Sequence, residues 1–336
     1  MAAGAHILAP ESTSLTSREA AFFREADPWG FILFARNIGT PDGVRALTGS
    51  LREAVGREAP VFIDQEGGRV QRMGPPHWRR WAPPLEDATR AGARADEAMA
   101  LRYRIIAEEL RAVGIDGNCV PCADIARPET HPFLKNRCAG FDVETVVAVC
   151  TAVAGASLLS GVLPVVKHIP GHGRAVVDSH GDLPRVAAPL DALRETDFAA
   201  FRALASQPLG MTAHVVYEAL DDRPATLSPA VIGLIRDEIG FGGLLMTDDI
   251  SMGALSGSVA GRSAAAIAAG CDLVLHCNGD LAEMEAVAGA AGRLTKRAET
   301  RAEAALAARD VAAHGDFDAE AAEAMFERIM TGRADA

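Results

Sequence analysis

Short, nearly continuous apolar runs recur along the chain, and an amphipathic segment follows most of them. Such runs are typical of parallel strands buried on both faces of a sheet, because these strands have no solvent-facing side. Eight runs predict strands, at 6–9, 30–36, 60–64, 118–121, 163–167, 210–214, 243–247 and 273–276. Eight alternating β and α units predict an α/β fold, a single-domain (β/α)8 TIM barrel.

Segments with helical periodicity lie between the predicted strands, for example over 42–55, 95–113, 190–205 and 259–269. Thr16, followed three residues later by Glu19, predicts a capping box that opens the first helix. From about 281 to 336 the chain is rich in alanine and charge. We expect helices there, packed on the outside of the barrel. No linker composition interrupts the sequence, so residues 1–336 are predicted to form one domain.

The charge balance and the apolar segments exclude two classes of partner. The net charge is −12, from 33 basic and 45 acidic residues, which argues against nucleic acid. Residues 1–17 lack a basic start and a long apolar stretch, so no secretory signal is predicted. The uncharged stretch 146–166 is long enough to span a bilayer. Its small and polar residues favour a buried helix over 146–160, then a loop and a strand, so we expect no membrane contact.

Cysteine usage indicates a reducing compartment. The chain has six cysteines, at positions 119, 122, 138, 150, 271 and 277. The pair Cys119-x-x-Cys122 resembles half a zinc site, but no second pair with zinc spacing follows it. We therefore interpret these thiols as small core residues of a reduced protein. Scattered cysteines without a disulfide pattern suit the cytoplasm.

Three polar segments come directly after predicted strands. Lys-His-Ile-Pro-Gly-His-Gly occupies 167–173 and is followed by Asp-Ser-His at 178–180. Met-Thr-Asp-Asp-Ile occupies 246–250, and Asp-Gln-Glu-Gly-Gly-Arg-Val-Gln-Arg occupies 64–72. The carboxyl ends of barrel strands meet at the mouth where barrel enzymes keep their chemistry. The pattern predicts one active site at that mouth.

Together these segments resemble the β-N-acetylglucosaminidases of glycoside hydrolase family 3. The resemblance covers nearly the whole chain and includes 118–124, Met-Thr-Ala-His at 211–214 and Pro-Ala-Thr-Leu-Ser at 224–228. It implies a barrel and a retaining exo-β-N-acetylglucosaminidase that needs no metal or organic cofactor. The implied substrate is a small carbohydrate or muropeptide.

The resemblance implies the roles of three catalytic residues. Asp248 is expected to be the nucleophile, although Asp248 or Asp249 would also serve as a cap for the following helix. His180, hydrogen-bonded to Asp178, is expected to be the general acid and base, a role that suits a group titrating near neutral pH. A glycine-rich loop then carries this pair over the bound sugar.

Five residues are expected to bind the sugar by the same resemblance: Asp64, Arg72, Arg137, Lys167 and His168. Lys167 needs a partner if buried, and this is either the sugar or an acidic neighbour. Arg137 is followed by Cys138 and Ala139 before a glycine, which departs from the family pattern.

Several neighbouring residues leave two interpretations open. Asp124 and His214 follow strands and either line the pocket or make structural hydrogen bonds. For Arg69, the structural alternative is a pair with Glu66. Gly171 and Gly173 are expected to adopt backbone angles that other residues resist. His172 is expected to shape the loop through backbone contacts, and whether it also contacts the substrate stays open.

Resemblance to single-domain bacterial members implies a cytoplasmic role in peptidoglycan recycling, and we expect a monomer. The implied substrate is N-acetylglucosamine linked β-1,4 to anhydro-N-acetylmuramic acid, with or without a peptide. Other activities stay open: β-glucosidase, phosphorolysis, or a silent sugar-binding protein. A metallohydrolase would use four ligands, namely His168, His172, His180 and Asp248.

Overall fold

The computed structural model describes residues 2–179, 181–311 and 317–332. Eight parallel strands close into a barrel in which each strand pairs with its sequence neighbour, and the last strand pairs with the first. The strands, β1 to β8 in chain order, are Gly4–Leu8, Pro28–Leu33, Val61–Ile63, Gly117–Asn118, Leu163–Ile169, Leu209–Thr212, Leu244–Asp249 and Leu273–His276. The predicted (β/α)8 barrel is confirmed.

Helices surround the barrel. They span Ser17–Ala26, Pro41–Val55, Pro84–Ala91, Ala95–Arg111, Pro132–Lys135, Val143–Leu159, Leu190–Glu195, Asp197–Ala203, Pro229–Asp237, Val259–Ala269, Leu281–Ala291, Lys296–Val311 and Ala319–Thr331. Thr16 and Glu19 form the predicted capping box, in which each side chain accepts from the other's backbone N–H. The predicted helix at 190–205 is instead two helices, interrupted at Thr196.

Smaller elements decorate this frame. Short 3-10 helices lie at Ala35–Asn37, Gly92–Arg94 and Ala225–Leu227. Two small two-stranded sheets are also present. Gln65–Gly67 pairs with Val70–Gln71, and Arg185–Val186 pairs with Val216–Tyr217. The first of these pairs comes directly after β3, at the barrel mouth, and it lies within the polar segment 64–72.

The stretch at 146–166 is a buried helix and a barrel strand. Helix Val143–Leu159 packs along helix Ala95–Arg111, and strand β5 begins four residues after its end. None of the helices in the described ranges is long and apolar enough to cross a membrane. The length of this uncharged stretch therefore reflects the burial of two successive elements.

The helices after residue 281 pack on the rest of the molecule. Helix Leu281–Ala291 lies against β1 and helix Val259–Ala269, whereas helix Ala319–Thr331 lies against helices Pro84–Ala91 and Ala95–Arg111. Phe326 and Ile329 supply the buried face of the last helix.

Strand register shifts mark the carboxyl ends of β5 and β7. The pairing of β5 with β6 shifts between Lys167 and Ile169, and the pairing of β7 with β8 shifts between Met246 and Asp249. Irregular pairing at a barrel rim redirects side chains and is common beside active sites. Both shifts coincide with residues that the sequence predicts to be functional.

Candidate active site

A pocket opens at the carboxyl ends of the barrel strands. It is lined by residues at or just after the carboxyl ends of six strands and by the loops after β4 and β5. They include Phe34, Asp64, Arg72, His131, Phe133, Arg137, Lys167, His168, His172, Asp178, Met211, Asp248, Met252 and Cys277. Every predicted site residue in the described part of the chain lies in this lining. His180 lies outside the described residues, so its place beside Asp178 stays a prediction.

Two carboxylates and three cations form a connected network on one wall. The Lys167 Nζ donates to Asp64 at 3.0 Å and lies 2.6 Å from Glu66. The Arg72 guanidinium donates to the other Asp64 oxygen at 3.1 Å. Arg137 makes a two-pronged pair with Glu66, with both N–O distances 2.9 Å. Lys167 therefore bridges the two carboxylates.

The network keeps its members charged despite burial. Burial raises the pKa of Asp64, but the charges of Lys167 and Arg72 outweigh it and hold the pKa well below its usual value. Burial also raises the pKa of Glu66, and Arg137 and Lys167 reverse that effect. For Lys167, burial lowers the pKa while Asp64 and Glu66 raise it more strongly. An ionised Asp64 at the pocket is an acceptor suited to hydroxyl groups.

His168 connects this wall to Asp248. Its Nδ1 lies 2.7 Å from the buried Asp124 carboxylate, and its Nε2 lies 4.0 Å from Asp248. Burial raises the pKa of Asp124, but His168 lowers it to about 2, so Asp124 is ionised and Nδ1 carries the proton. Asp124 thus fixes the ring so that Nε2 faces the pocket.

Asp248 is an ionised carboxylate on the pocket wall. Its side chain is 19% exposed, and one oxygen accepts the Asp249 backbone N–H at 2.8 Å. Burial raises the pKa of Asp248, but the neighbouring His168 and His214 rings and this hydrogen bond lower it below the usual value. A carboxylate that is kept unprotonated and partly exposed is available to attack a substrate carbon.

Neither Asp248 nor Asp249 caps a helix, because the next helix begins at Val259 with Ser258 as its cap. Asp249 instead accepts from the backbone N–H groups of Ser251 and Cys277, and so holds the loop after β7. The helix-cap interpretation is wrong.

The loop after β5 places Asp178 in the pocket lining. Gly171 has φ +138°, which favours glycine as expected. Gly173 does not have a positive φ. A Cβ there would collide with the Ile125 carbonyl, so the reason for this glycine is close packing. The His172 backbone N–H donates to Asp124 at 2.6 Å, and its Nε2 lies 3.2 Å from the Ser179 hydroxyl.

Asp124 and His214 are structural rather than pocket-lining. Both are completely buried. His214 hydrogen-bonds Thr226 at 2.8 Å and the Asp249 carbonyl at 3.0 Å, and so supports the end of β7. Burial lowers the pKa of His214, which leaves its ring neutral near pH 7.

Other pocket features were not predicted. Phe34 and Phe133 contribute to the apolar lining. Phe34 lies just after β2, although the run at 30–36 predicted it within the strand, and Phe133 lies in helix Pro132–Lys135. Glu66 pairs with Arg137 and Lys167, so the structural alternative of an Arg69–Glu66 pair is not what the structure has. The Arg69 guanidinium instead stacks 4.0 Å from the centre of the Phe133 ring.

Cys119 and Cys122 are both buried, as expected of core thiols, and Cys119 is not part of the metal-like cluster found among the described residues. Within residues 2–179, 181–311 and 317–332, one group with ligand atoms close enough for a metal is Cys122, Asp124 and His168. All six cysteines are free thiols. The ligand set of the metallohydrolase alternative includes His180 and therefore lies partly outside the described residues.

The barrel mouth holds a network of fixed charges and an ionised carboxylate. This arrangement is typical of enzymes that bind and cleave substrates rich in hydroxyl groups. Residues 16–309 match the glycosyl hydrolase family 3 N-terminal domain. The chain belongs to glycoside hydrolase family 3, and it is a glycoside hydrolase of the β-N-acetylhexosaminidase class.

Individual relatives agree. A β-hexosaminidase of Alkalilimnicola ehrlichii is 36% identical over 286 residues, which is 83% of this chain and 82% of the relative. A β-hexosaminidase of Stenotrophomonas maltophilia is 35% identical over 290 residues, covering 84% of this chain and 85% of that one. NagZ from Neisseria gonorrhoeae, solved with N-trifluoroacetyl-D-glucosamine, has a TM-score of 0.83 at 27% identity and covers 99% of this chain and 97% of its own. A family 3 β-N-acetylglucosaminidase from Paenibacillus has a TM-score of 0.86 at 29% identity. The match covers 97% of this chain and 67% of the Paenibacillus chain.

Proposed function

We propose that the chain is a retaining exo-β-N-acetylglucosaminidase that removes N-acetylglucosamine from the non-reducing end of a β-linked glycan. The observation that carries this proposal is Asp248, an ionised carboxylate that lines the same pocket as the charged side chains of Asp64, Lys167 and Arg137. The Neisseria NagZ was solved with N-trifluoroacetyl-D-glucosamine, a 2-acylamino sugar, and the Paenibacillus protein is a β-N-acetylglucosaminidase.

The proposed reaction proceeds in two steps. An Asp248 oxygen attacks the anomeric carbon while the bond to the leaving oxygen breaks, and His180 gives that oxygen its proton. Water then attacks the glycosyl-enzyme, His180 takes the water proton, and the bond to Asp248 breaks. Asp178 orients the imidazole and favours its protonated form.

The sugar is held by the charged wall in this proposal. Asp64 accepts hydrogen bonds from hydroxyl groups, and Arg72, Arg137, Lys167 and His168 lie around it in the same pocket. The cations already have carboxylate partners, so they are fixed before the sugar arrives. Because these side chains are already ordered, substrate binding costs little of their conformational entropy.

We further propose a physiological role in peptidoglycan recycling in the cytoplasm. The substrate there is N-acetylglucosamine β-1,4-linked to anhydro-N-acetylmuramic acid, with or without a peptide. The enzyme acts as a monomer and a single domain spanning 1–336, without metal or organic cofactor.

The first test compares p-nitrophenyl N-acetyl-β-glucosaminide with the corresponding glucoside, with EDTA present. Rapid release from the N-acetyl substrate alone supports the proposal. Release mainly from the glucoside, or from neither substrate, contradicts it. Added phosphate distinguishes phosphorolysis, because that reaction yields a sugar 1-phosphate instead of free sugar.

A further inference from the structure

The loop after β5 begins with a part that neighbouring segments hold in place. The Tyr217 hydroxyl, in the segment after β6, donates to the Gly171 carbonyl at 2.5 Å. The Thr130 hydroxyl, in the segment after β4, donates to the Gly173 carbonyl, also at 2.5 Å. Both donors are buried. The backbone at the start of the loop is therefore fixed from two sides.

An ion pair adds a third attachment. The Arg174 Nε donates to the Asp197 Oδ2 at 2.7 Å, and the Arg174 Nη2 donates to the Thr196 hydroxyl at 3.1 Å. Arg127, in the segment after β4, donates to the same Asp197 oxygen at 3.3 Å, and the Asp197 side chain is only 1% exposed. Within the described residues, none of these side chains lines the pocket. One buried carboxylate outside the pocket thus joins the loops after β4 and β5.

Two local features bring Asp197 against the loop. Thr196 interrupts the helix predicted over 190–205, and Asp197 begins the second of the two helices that form there. A Cβ at Gly171 would lie 2.8 Å from the Asp197 Cβ. The close approach of the loop backbone to Asp197 therefore requires glycine at position 171.

The attached part of the loop leads directly to Asp178. Three residues separate Arg174 from Asp178, and an extended chain spans about 3.3–3.6 Å per residue, so the two Cα atoms lie within about 14 Å of each other. The valines at 176–177 are 57% and 36% exposed, so packing fixes this connection only weakly. His172, within the attached part, lies 3.2 Å from the Ser179 hydroxyl. The position of Asp178 therefore depends on how the start of the loop is held.

We propose that the Arg174–Asp197 ion pair is a positioning element of the reaction, which sets where the loop presents Asp178 in the pocket. The inference rests on the proposed function, in which Asp178 orients the imidazole of His180. Arg127 fixes the shared carboxylate from the loop after β4, so the two loops that border the pocket keep one relative position. Arg174 and Asp197 act through Asp178 and do not contact the substrate.

Breaking the pair is expected to slow proton transfer more than it weakens binding. A shift of about 1 Å in a catalytic group can reduce turnover by about 10²-fold. The sugar-binding carboxylate Asp64 is held by Lys167 and Arg72, which do not contact the Arg174–Asp197 pair. The expected signature is therefore a lower kcat with a nearly unchanged KM.

Arg174→Gln and Asp197→Asn each remove one charge and keep a similar shape. Each is expected to lower kcat by at least about tenfold on methyl N-acetyl-β-glucosaminide, with KM changed by less than about twofold. The loss on the p-nitrophenyl glycoside is expected to be smaller, because an activated phenol needs little protonation. Arg174→Lys keeps the charge and is expected to recover part of kcat. If Asp197→Asn does not fold, Arg174→Gln carries the test, because the Arg174 side chain is 21% exposed.

The matched control is Arg194→Gln. Arg194 lies in helix Leu190–Glu195 and pairs with Glu238 at 2.8 Å, away from the loop after β5. This variant is expected to keep the kcat of the wild-type enzyme on both substrates. Equal kcat values for the wild type, Arg174→Gln and Arg194→Gln overturn the positioning role, as does a rise in KM without a loss of kcat.

Amide hydrogen exchange of the peptide covering 170–179 provides a measurement that needs no turnover. The Ala175 N–H donates to the His172 carbonyl at 2.9 Å, and its exchange is expected to be faster in Arg174→Gln and Asp197→Asn than in the wild type and Arg194→Gln. Unchanged exchange overturns the attachment of the loop by the ion pair. A wild-type protein that hydrolyses neither substrate contradicts the proposed function instead, and the exchange result still decides whether the pair holds the loop.

Discussion

Replacing Glu66 with glutamine tests the charged wall most directly. Glu66 is 1% exposed, receives two hydrogen bonds from Arg137 and lies 2.6 Å from Lys167. Glutamine has nearly the same shape but no charge and only one acceptor oxygen. The Glu66→Gln variant therefore leaves two buried cations with a single carboxylate, Asp64, between them.

The expected loss can be worked out from this arrangement. Removing one partner from a buried ion pair costs about 3–5 kcal/mol. Unfolding carries an entropy of about 2.1 cal/mol/K per residue, hence about 0.7 kcal/mol/K for 336 residues. The unfolding temperature is therefore expected to fall by about 4–7 °C. The KM for the chromogenic N-acetyl substrate is expected to rise, because Arg137 and Lys167 lose their fixed positions.

Differential scanning calorimetry and initial rates provide the measurements. The control is Glu97→Gln, because Glu97 pairs with Arg94 at the surface, where its side chain is 46% exposed. An exposed pair contributes at most about 1 kcal/mol, so this control is expected to shift the midpoint by less than about 1.5 °C. If the two variants unfold within a degree of each other, the reasoning about the buried network is refuted.

Three further predictions follow from the site. Asp248→Ala is expected to lose at least about 10³-fold in turnover with its unfolding temperature preserved, and appreciable residual hydrolysis would reject it as the nucleophile. His180→Ala is expected to slow substrates with poor leaving groups more than activated phenols, whereas equal losses argue against it as the acid. The lowered pKa values of Asp64, Glu66 and Asp248 contribute stability that is complete above about pH 5 and is lost as the pH falls toward the folded-state values. Urea unfolding at pH 5 and pH 3 should show a shallower loss in Glu66→Gln, by up to about 1.4 kcal/mol per pH unit, and identical slopes would contradict the assignment.

The barrel could be predicted from sequence because its strands are buried on both faces and appear as uninterrupted apolar runs. The least accurate strand was β4, predicted over 118–121 but observed at Gly117–Asn118. There the Asn118 side chain hydrogen-bonds the backbone of Gln65 and so connects the strand to the segment 64–72 after β3. A polar contact of this kind produces no hydrophobic periodicity, so the bounds of this strand could not be predicted from the apolar pattern.

The site was predictable in its positions and less so in its connections. Residues at strand ends were found because barrel topology brings those ends together. The pairing of Glu66 with Arg137 joins residues 71 positions apart and could not be read from local spacing. Nor could the Asp124–His168 contact, which depends on how the loop after β4 approaches the end of β5.

The pairing of the first strand with the last affects how the molecule is made. Strand β1 ends at Leu8, and its partner β8 begins at Leu273, about 265 residues later. One edge of β1 pairs with β2 and the other with β8. At a translation rate of about 5–20 residues per second, β8 is synthesised about 13–53 s after β1, and the second edge of β1 stays unpaired during that time. Until then, the growing sheet exposes an unpaired edge to other chains. Closure of the barrel is therefore a late event of synthesis, and the nascent chain is most vulnerable to aggregation just before β8 emerges.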